Sequence, residues 1–348
     1  MTQLQQHCQH RMPASYHSYS GLLVLCLLAA LPFLAAQEET ARVFEGEKVA
    51  DGVYPWQGAL YFQALDEEAL VYDTQLCGCT LISPRHVLTA AHCVTDENGK
   101  VGSEAFSVLF NTTDITISQK EASTTLAHLK FDVVKKKVHP DYDHLSVVGD
   151  FAVLQLDREV EGITPIALDA TANSDDWSGQ SLRFIGWGVT DYFGPAYYST
   201  LLLQNDLLAQ TAEECVEAYY TEIPEAYEDF ILDLYRTWYI CGIDDPQNGG
   251  VGRGDSGGPL FLDSDPPVLV GVTSWGVPLY GDDSEQVGTF PNVWAYVATA
   301  RQWILKQTGE NPEDGDDGGS EEDGGDGDSA ADGDGSGAAS LESVLSFL

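Results

Sequence analysis

Short apolar or alternating runs, broken every few residues by Gly, Pro, Asn or Asp, fill the chain from residue 43 to residue 300, as at 86–90, 105–110, 151–156, 182–185 and 268–274. Side chains alternate between the two faces of a strand, so runs of this length suit strands with one face buried. Their number and spacing point to an all-β architecture of antiparallel barrels or sandwiches. The strand-helix alternation that builds a parallel sheet is missing. A helix is expected near the end, where Val297, Trp303, Ile304 and Leu305 share a run free of Gly and Pro that stops at Gly309. A second helical stretch, rich in Glu, Tyr and Leu, is expected over 212–235.

The ends have a different texture. Residues 21–36 form an uncharged apolar run of sixteen, shorter than the roughly 20 a membrane span needs, with small residues at its close. Residues 1–36 therefore read as a secretory leader cleaved near Ala35 or Ala36. Retention as a signal anchor is the alternative, since Arg11 is the only Lys or Arg before the run. Residues 309–348 hold thirteen acidic groups and no Lys or Arg, a composition that reads as a disordered tail.

The whole chain carries 16 − 55 = −39, and residues 43–308 alone carry 14 − 40 = −26, which argues against binding nucleic acid through a basic surface. A hydrophobic fraction of 43% with seven Trp excludes a fully disordered chain, and the 266 residues of 43–308 can bury one large core or two smaller ones.

Export places cysteines where they pair. Cys8 and Cys26 fall in the leader, leaving Cys77, Cys79, Cys93, Cys215 and Cys241, an odd number. At least one thiol must stay free, pair between molecules or bind something else. The spacings match no Cys/His zinc pattern, and no metal or cofactor is expected. Asn111-Thr112-Thr113 is an N-glycosylation sequon.

Three segments carry chemistry: Thr89-Ala90-Ala91-His92-Cys93, then Gly149-Asp150-Phe151-Ala152-Val153-Leu154, then Gly252-Arg253-Gly254-Asp255-Ser256-Gly257-Gly258-Pro259-Leu260. Amide hydrolysis needs a nucleophile, a base to take its proton and an acceptor that orients the base, which Ser, His and Asp can supply. Glycines beside the serine allow a sharp turn that offers backbone N–H groups to an oxyanion. Singly, each segment also suits a structural His, a turn Asp or a plain loop.

Together, in this order, and with Tyr54-Pro55-Trp56-Gln57, Gly186-Trp187-Gly188, Ser274-Trp275-Gly276, Pro291-Asn292-Val293 and Trp303-Ile304, they resemble the chymotrypsin/trypsin family of serine endopeptidases over roughly residues 43–307. The resemblance implies two antiparallel six-stranded β-barrels with a C-terminal helix, forming a protease domain over 43–308. It implies His92 as general base and acid, Asp150 as its orienting partner, Ser256 as nucleophile, and the N–H groups of Gly254 and Ser256 as oxyanion hole. Arg42-Val43-Phe44-Glu45-Gly46 resembles the family's activation site: cleavage after Arg42 would release a propeptide of residues 37–42 and free the Val43 amine to pair with Asp255. Glu45 stands where the family has glycine.

The resemblance also implies Cys77–Cys93 and Cys215–Cys241 bridges, leaving Cys79, with Cys79–Cys93 as a competing pairing. Cysteines for the family's bridge beside the specificity pocket would lie near Gly252 and Leu279, and neither is present. The substrate-binding positions are Gly250 at the pocket base, Ser274, Trp275 and Gly276 on one wall, Asn292 at the back and Arg253 at the rim. A desolvated Lys or Arg side chain needs a countercharge, and no carboxylate occupies these positions. Preference for uncharged residues of small to medium or aromatic size is therefore expected.

The partners implied are protein or peptide substrates, an activating trypsin-like protease and protein inhibitors, with a membrane only if the leader is retained. Two other readings stand beside the enzyme. One is a non-catalytic protease homologue that serves as a binding module. The other is a tail that binds Ca²⁺ or a mineral surface, for which Asp332 to Gly337 resembles half a calcium loop whose twelfth position is Ser343.

Overall fold

The computed structural model describes residues 46–65, 71–115, 129–189, 198–220, 223–244, 250–276 and 291–309. The leader, the propeptide, Arg42, Val43, Leu279 and the acidic tail lie outside these residues.

Fourteen strands and three α-helices make up the described chain. They are β1 Glu47–Lys48, β2 Gln57–Leu65, β3 Val71–Ser83, β4 His86–Thr89, β5 Phe106–Phe110, β6 Lys130–Val138 and β7 Ala152–Leu156. Next come β8 Ala167–Leu168, β9 Ser181–Gly186, β10 Leu203–Gln210, helices α1 Ala212–Tyr219 and α2 Glu225–Trp238, and β11 Tyr239–Asp244. The chain continues with β12 Pro259–Leu262, β13 Val268–Trp275, β14 Asn292–Tyr296 and helix α3 Val297–Thr308. Each of the five runs singled out in the sequence lies in or across a strand: β4, β5, β7, β9 and β13.

Strands β2–β3–β4–β7–β6–β5 close into a first barrel. Strands β10, β11, β14, β13, β12 and β9 follow one another in a second sheet that closes through β9–β10 pairing, with β1 and β8 attached at its margins. Closure leaves no long unpaired edge, so every strand can be short. Ala59, Leu60, Leu81, Leu88, Phe110 and Leu154 fill the first barrel, and Phe184, Leu207, Ile240, Leu260, Val270 and Trp294 fill the second. Trp56 and Phe261 meet edge to face at 4.9 Å and join the two interiors.

The helical stretch expected over 212–235 is two helices, a correction with a local cause. Thr211 and Glu214 form a capping box that starts α1, whereas Pro224, with no N–H to donate, can only flank a new start and sits at the N-cap of α2. Apolar residues of both helices pack with Cys215, Cys241 and Val293 into a third cluster beside the second barrel. Helix α3 ends as expected at Gly309, whose φ of 74° gives the left-handed cap. No helix among the described residues is long and apolar enough to cross a membrane.

Candidate active site

The site lies between the barrels. His92 sits in a single 3₁₀ turn, Ala91–Cys93, that ends β4, and the Cys77–Cys93 bridge ties this turn to β3. Asp150 lies two residues before the start of β7, which pairs with β4, so the two side chains arrive beside neighbouring strands. The approach to Asp150 is fixed locally: Asp143 Oδ1 accepts from the N–H groups of Leu145 and Ser146, and Tyr239 Oη donates to the Ser146 carbonyl. Val147 holds a left-handed φ of 60° just before Gly149 at 66°.

Asp150 is fully buried and saturated with donors. Oδ1 accepts from the His92 backbone N–H at 2.9 Å, while Oδ2 lies 2.8 Å from His92 Nδ1 and accepts from Ser274 Oγ at 2.6 Å. Both contacts on Oδ2 demand a proton on the partner, so His92 carries hydrogen on Nδ1 and its Nε2 is left as the basic atom. Burial alone would lower the His92 pKa, but the adjoining carboxylate outweighs it and the net shift is upward. Burial alone would raise the Asp150 pKa, but His92 and the donated hydrogen bonds hold it below the ordinary range.

Ser256 enters from the second barrel, on the loop before β12. Its carbonyl accepts from the Gly78 N–H at 2.7 Å, and the Gly257 N–H donates to the Thr273 carbonyl at 2.8 Å. Gly257 takes a φ of 76°, and a Cβ there would collide with the Gly78 carbonyl and with Thr89 Oγ1, two residues before the His92 turn. Only glycine permits this approach. The Arg253 carbonyl accepts from the Val189 N–H at 2.9 Å, and in a trans peptide this turns the Gly254 N–H to the opposite side. Ser256 Oγ has no hydrogen-bond partner among the described residues and is half-buried.

Asp255 is buried beneath this loop. Its oxygens accept from the Gly188 N–H at 2.7 Å and the Gly252 N–H at 2.8 Å, and burial pushes its pKa up to about 6. A Cβ on Gly186 or Gly188 would strike this carboxylate, which accounts for both glycines of the Gly186-Trp187-Gly188 motif.

Gly250, Gly276 and Asn292 lie together. Asn292 Oδ1 accepts from the Val251 N–H at 3.2 Å, and a Cβ on Gly250 would lie 3.0 Å from Asn292 Nδ2. A Cβ on Gly276 would lie 3.3 Å from Asn292 Oδ1, so the amide stands between the two glycines. Trp275 packs at a tilt against Tyr219 of α1 at 5.0 Å and edge to face against Tyr239 of β11 at 6.0 Å. Arg253 is exposed at the rim. Cys215 pairs with Cys241, and Cys79 stays a free thiol sealed against Gly58, so the Cys79–Cys93 alternative is not formed. Burial pushes the Cys79 thiol pKa well up. The cluster Cys77, His92 and Cys93 has ligand-like spacing, but its two sulfurs are bonded to each other.

The resemblance implies for Ser274 only a place among the substrate-binding residues, whereas its hydroxyl is a donor to Asp150. No local signal distinguishes that role, since 124 residues separate the partners.

Two antiparallel barrels with a His-Asp pair on one and a glycine-flanked serine on the other define a double-barrel serine protease scaffold. The family profile described as Trypsin matches residues 43–304, and the chain belongs to the trypsin family. It is 30% identical over 74% of its length to serine protease Hayan of Drosophila melanogaster, covering 38% of that protein. It is 26% identical over 77% of its length to the proclotting enzyme of Tachypleus tridentatus, covering 66% of it. With trypsin 5G1 of Aedes aegypti the identity is 29% over 80% of this chain and 89% of the relative. The chain thus spans less than two thirds of the first two relatives.

Proposed function

We propose that this chain is a secreted serine endopeptidase that cleaves protein substrates through an acyl-enzyme. The observation that carries the reading is the continuous line of hydrogen bonds from Ser274 through Asp150 to His92, with the Ser256 loop folded against the same turn. In this reading Ser256 Oγ bonds to the scissile carbonyl carbon as its proton passes to His92 Nε2. The C–N bond then breaks as that proton moves to the leaving amine, and water repeats the exchange to free the acid. The N–H groups of Gly254 and Ser256 hold the oxyanion. An organophosphonate should label Ser256 in the activated protein and fail to label Ser256→Ala. Absence of labelling in the activated wild type would favour a non-catalytic binding module.

Activation is proposed to follow cleavage after Arg42. In the uncut chain the Val43 nitrogen is a peptide amide without charge; once cut it becomes an ammonium, the kind of partner the buried Asp255 carboxylate lacks among the described residues. Arg42→Ala should yield a folded, secreted and inactive protein, and full activity in it would overturn this step.

The primary pocket is proposed to be neutral and shallow. The Asn292 amide between Gly250 and Gly276 supports small to medium uncharged side chains over aromatic ones, narrowing the range expected from sequence. A panel of peptide substrates tests this, and dominant cleavage after Lys or Arg would sink it. The activating protease must then be a different, trypsin-like enzyme. Residues 1–36 are proposed as the cleaved leader, and Asn111, exposed where β5 ends, as a glycan site. Endoglycosidase treatment of the secreted protein should lower its mass by one glycan.

A further inference from the structure

We propose that the acidic segment 310–348 docks within its own molecule on a cationic groove formed by β4, β6, β7 and the last turn of α3. The groove has a volume of about 280 Å³, and its walls include His86, Lys135, Lys137, Lys306 and Gly309, with no carboxylate among its lining residues. Strand register creates it: Gln155 of β7 faces His86 on one side and Lys135 on the other, and Lys137 pairs with Val153. Lys136, pointing to the opposite face, donates to the Glu104 carbonyl and lies over the Phe106 ring. Lys135 and Lys137 are exposed, and the side chains of Lys135, Lys137 and Lys306 make no hydrogen bond or ion pair among the described residues.

In a chain with 55 acidic and 16 basic side chains, three converging lysines without a carboxylate beside them are a local exception. The occupant follows from where the described chain ends. Gly309 is itself a lining residue, and the next residue begins a segment with thirteen acidic groups and no Lys or Arg. Glu310, Glu313, Asp314, Asp316 and Asp317 fall within the first eight residues, which extended span up to about 28 Å. A tether this short gives an effective concentration on the order of millimolar, so a free polyanion must displace the tail to enter. Individual pairs at this exposure are weak, and the docking is collective and sensitive to salt. Strand β4 leads into the His92 turn and β7 follows Asp150, so the seated tail braces the two strands that flank those residues.

The test is zero-length carbodiimide crosslinking of the full-length protein, dilute and at low salt, with peptide mapping. Crosslinks from Lys135 or Lys137 to carboxylates of 310–334 are expected, independent of protein concentration and reduced several-fold at 0.5 M salt. Crosslinks confined to Lys306, which lies close in sequence, would show a tail that does not enter the groove and would count against docking. Tail crosslinks chiefly to Lys48 or Lys100, none at low salt, or a yield that rises with protein concentration would each overturn the proposal. As a second readout, ending the chain after Gly309 should speed acetylation of Lys135 and Lys137 at least about three-fold while leaving Lys100 unchanged, and equal rates in both proteins would count against docking.

Discussion

Two aspartates flank the candidate nucleophile, equally hidden from water and opposite in charge behaviour. Asp150, from the first barrel, is fully buried and Asp255, from the second, is 2% exposed. Asp150 is bonded to an imidazole and a hydroxyl and is held ionised, whereas Asp255 has two backbone N–H groups and is pushed up to about 6. Burial therefore does not decide the charge of a carboxylate; the presence of a cation-capable partner does. The first barrel carries that partner on the turn after its own β4, while the second is proposed to gain one only when the chain is cut.

The largest expected effect tests the first half of this contrast. Asp150→Asn keeps the shape but cannot take the Nδ1 proton as a charged acceptor, so kcat/KM of the activated protein should fall by about 10⁴ with the fold intact by circular dichroism. A loss under about ten-fold would mean that Asp150 does not set the His92 tautomer.

Asp255→Asn tests the other half, with different readouts in the two forms. After cleavage, activity should fall by about 10²-fold or more, since no carboxylate remains to receive the new amine. Before cleavage the same change should abolish a pH-dependent destabilisation, while its amide nitrogen faces one of the two backbone N–H donors. The Asp255 pKa is raised on folding, so its contribution is present below about pH 4 and lost as pH rises through about 6, costing up to about 3 kcal/mol at pH 7. Denaturant titrations of the uncut protein at pH 4 and pH 7 should show that loss in wild type and its disappearance in Asp255→Asn.

Ser274→Ala removes one donor from Asp150. Activity should drop by about ten-fold, and the acid limb of the rate profile should move to higher pH, because a less shielded carboxylate holds the imidazolium more tightly. An unchanged midpoint would make Ser274 a packing residue only. The smallest effect belongs to the turn before Asp150: Val147→Gly exchanges a strained β-branched residue at φ 60° for one at ease there, and thermal unfolding should show a gain of up to about 1 kcal/mol.

The strands were legible as short apolar runs set between turn residues rather than through alternation, as in β5, whose five residues are all buried. His92, Asp150 and Ser256 were legible because each stands in a short segment with its own turn or bridge chemistry. The Ser274–Asp150 bond and the Asn292 amide between Gly250 and Gly276 were not, since side-chain direction depends on register between residues far apart. The break before α2 has another cause: the Glu, Tyr and Leu content of 212–235 suits one helix, whereas Pro224 is a local punctuation mark that the backbone obeys. The lysine groove unites four elements from residue 86 to residue 309 and has no linear signature.

One backbone contact has a meaning beyond the chemistry. The Gly78 amide belongs to the first barrel, yet its hydrogen bond runs to the Ser256 carbonyl in the second. Its deuterium exchange rate therefore counts how often the seam between the barrels opens, and every such opening carries the nucleophile's own peptide away from His92. A single slow amide can thus serve as a clock for loss of competence, running ahead of any unfolding of either barrel.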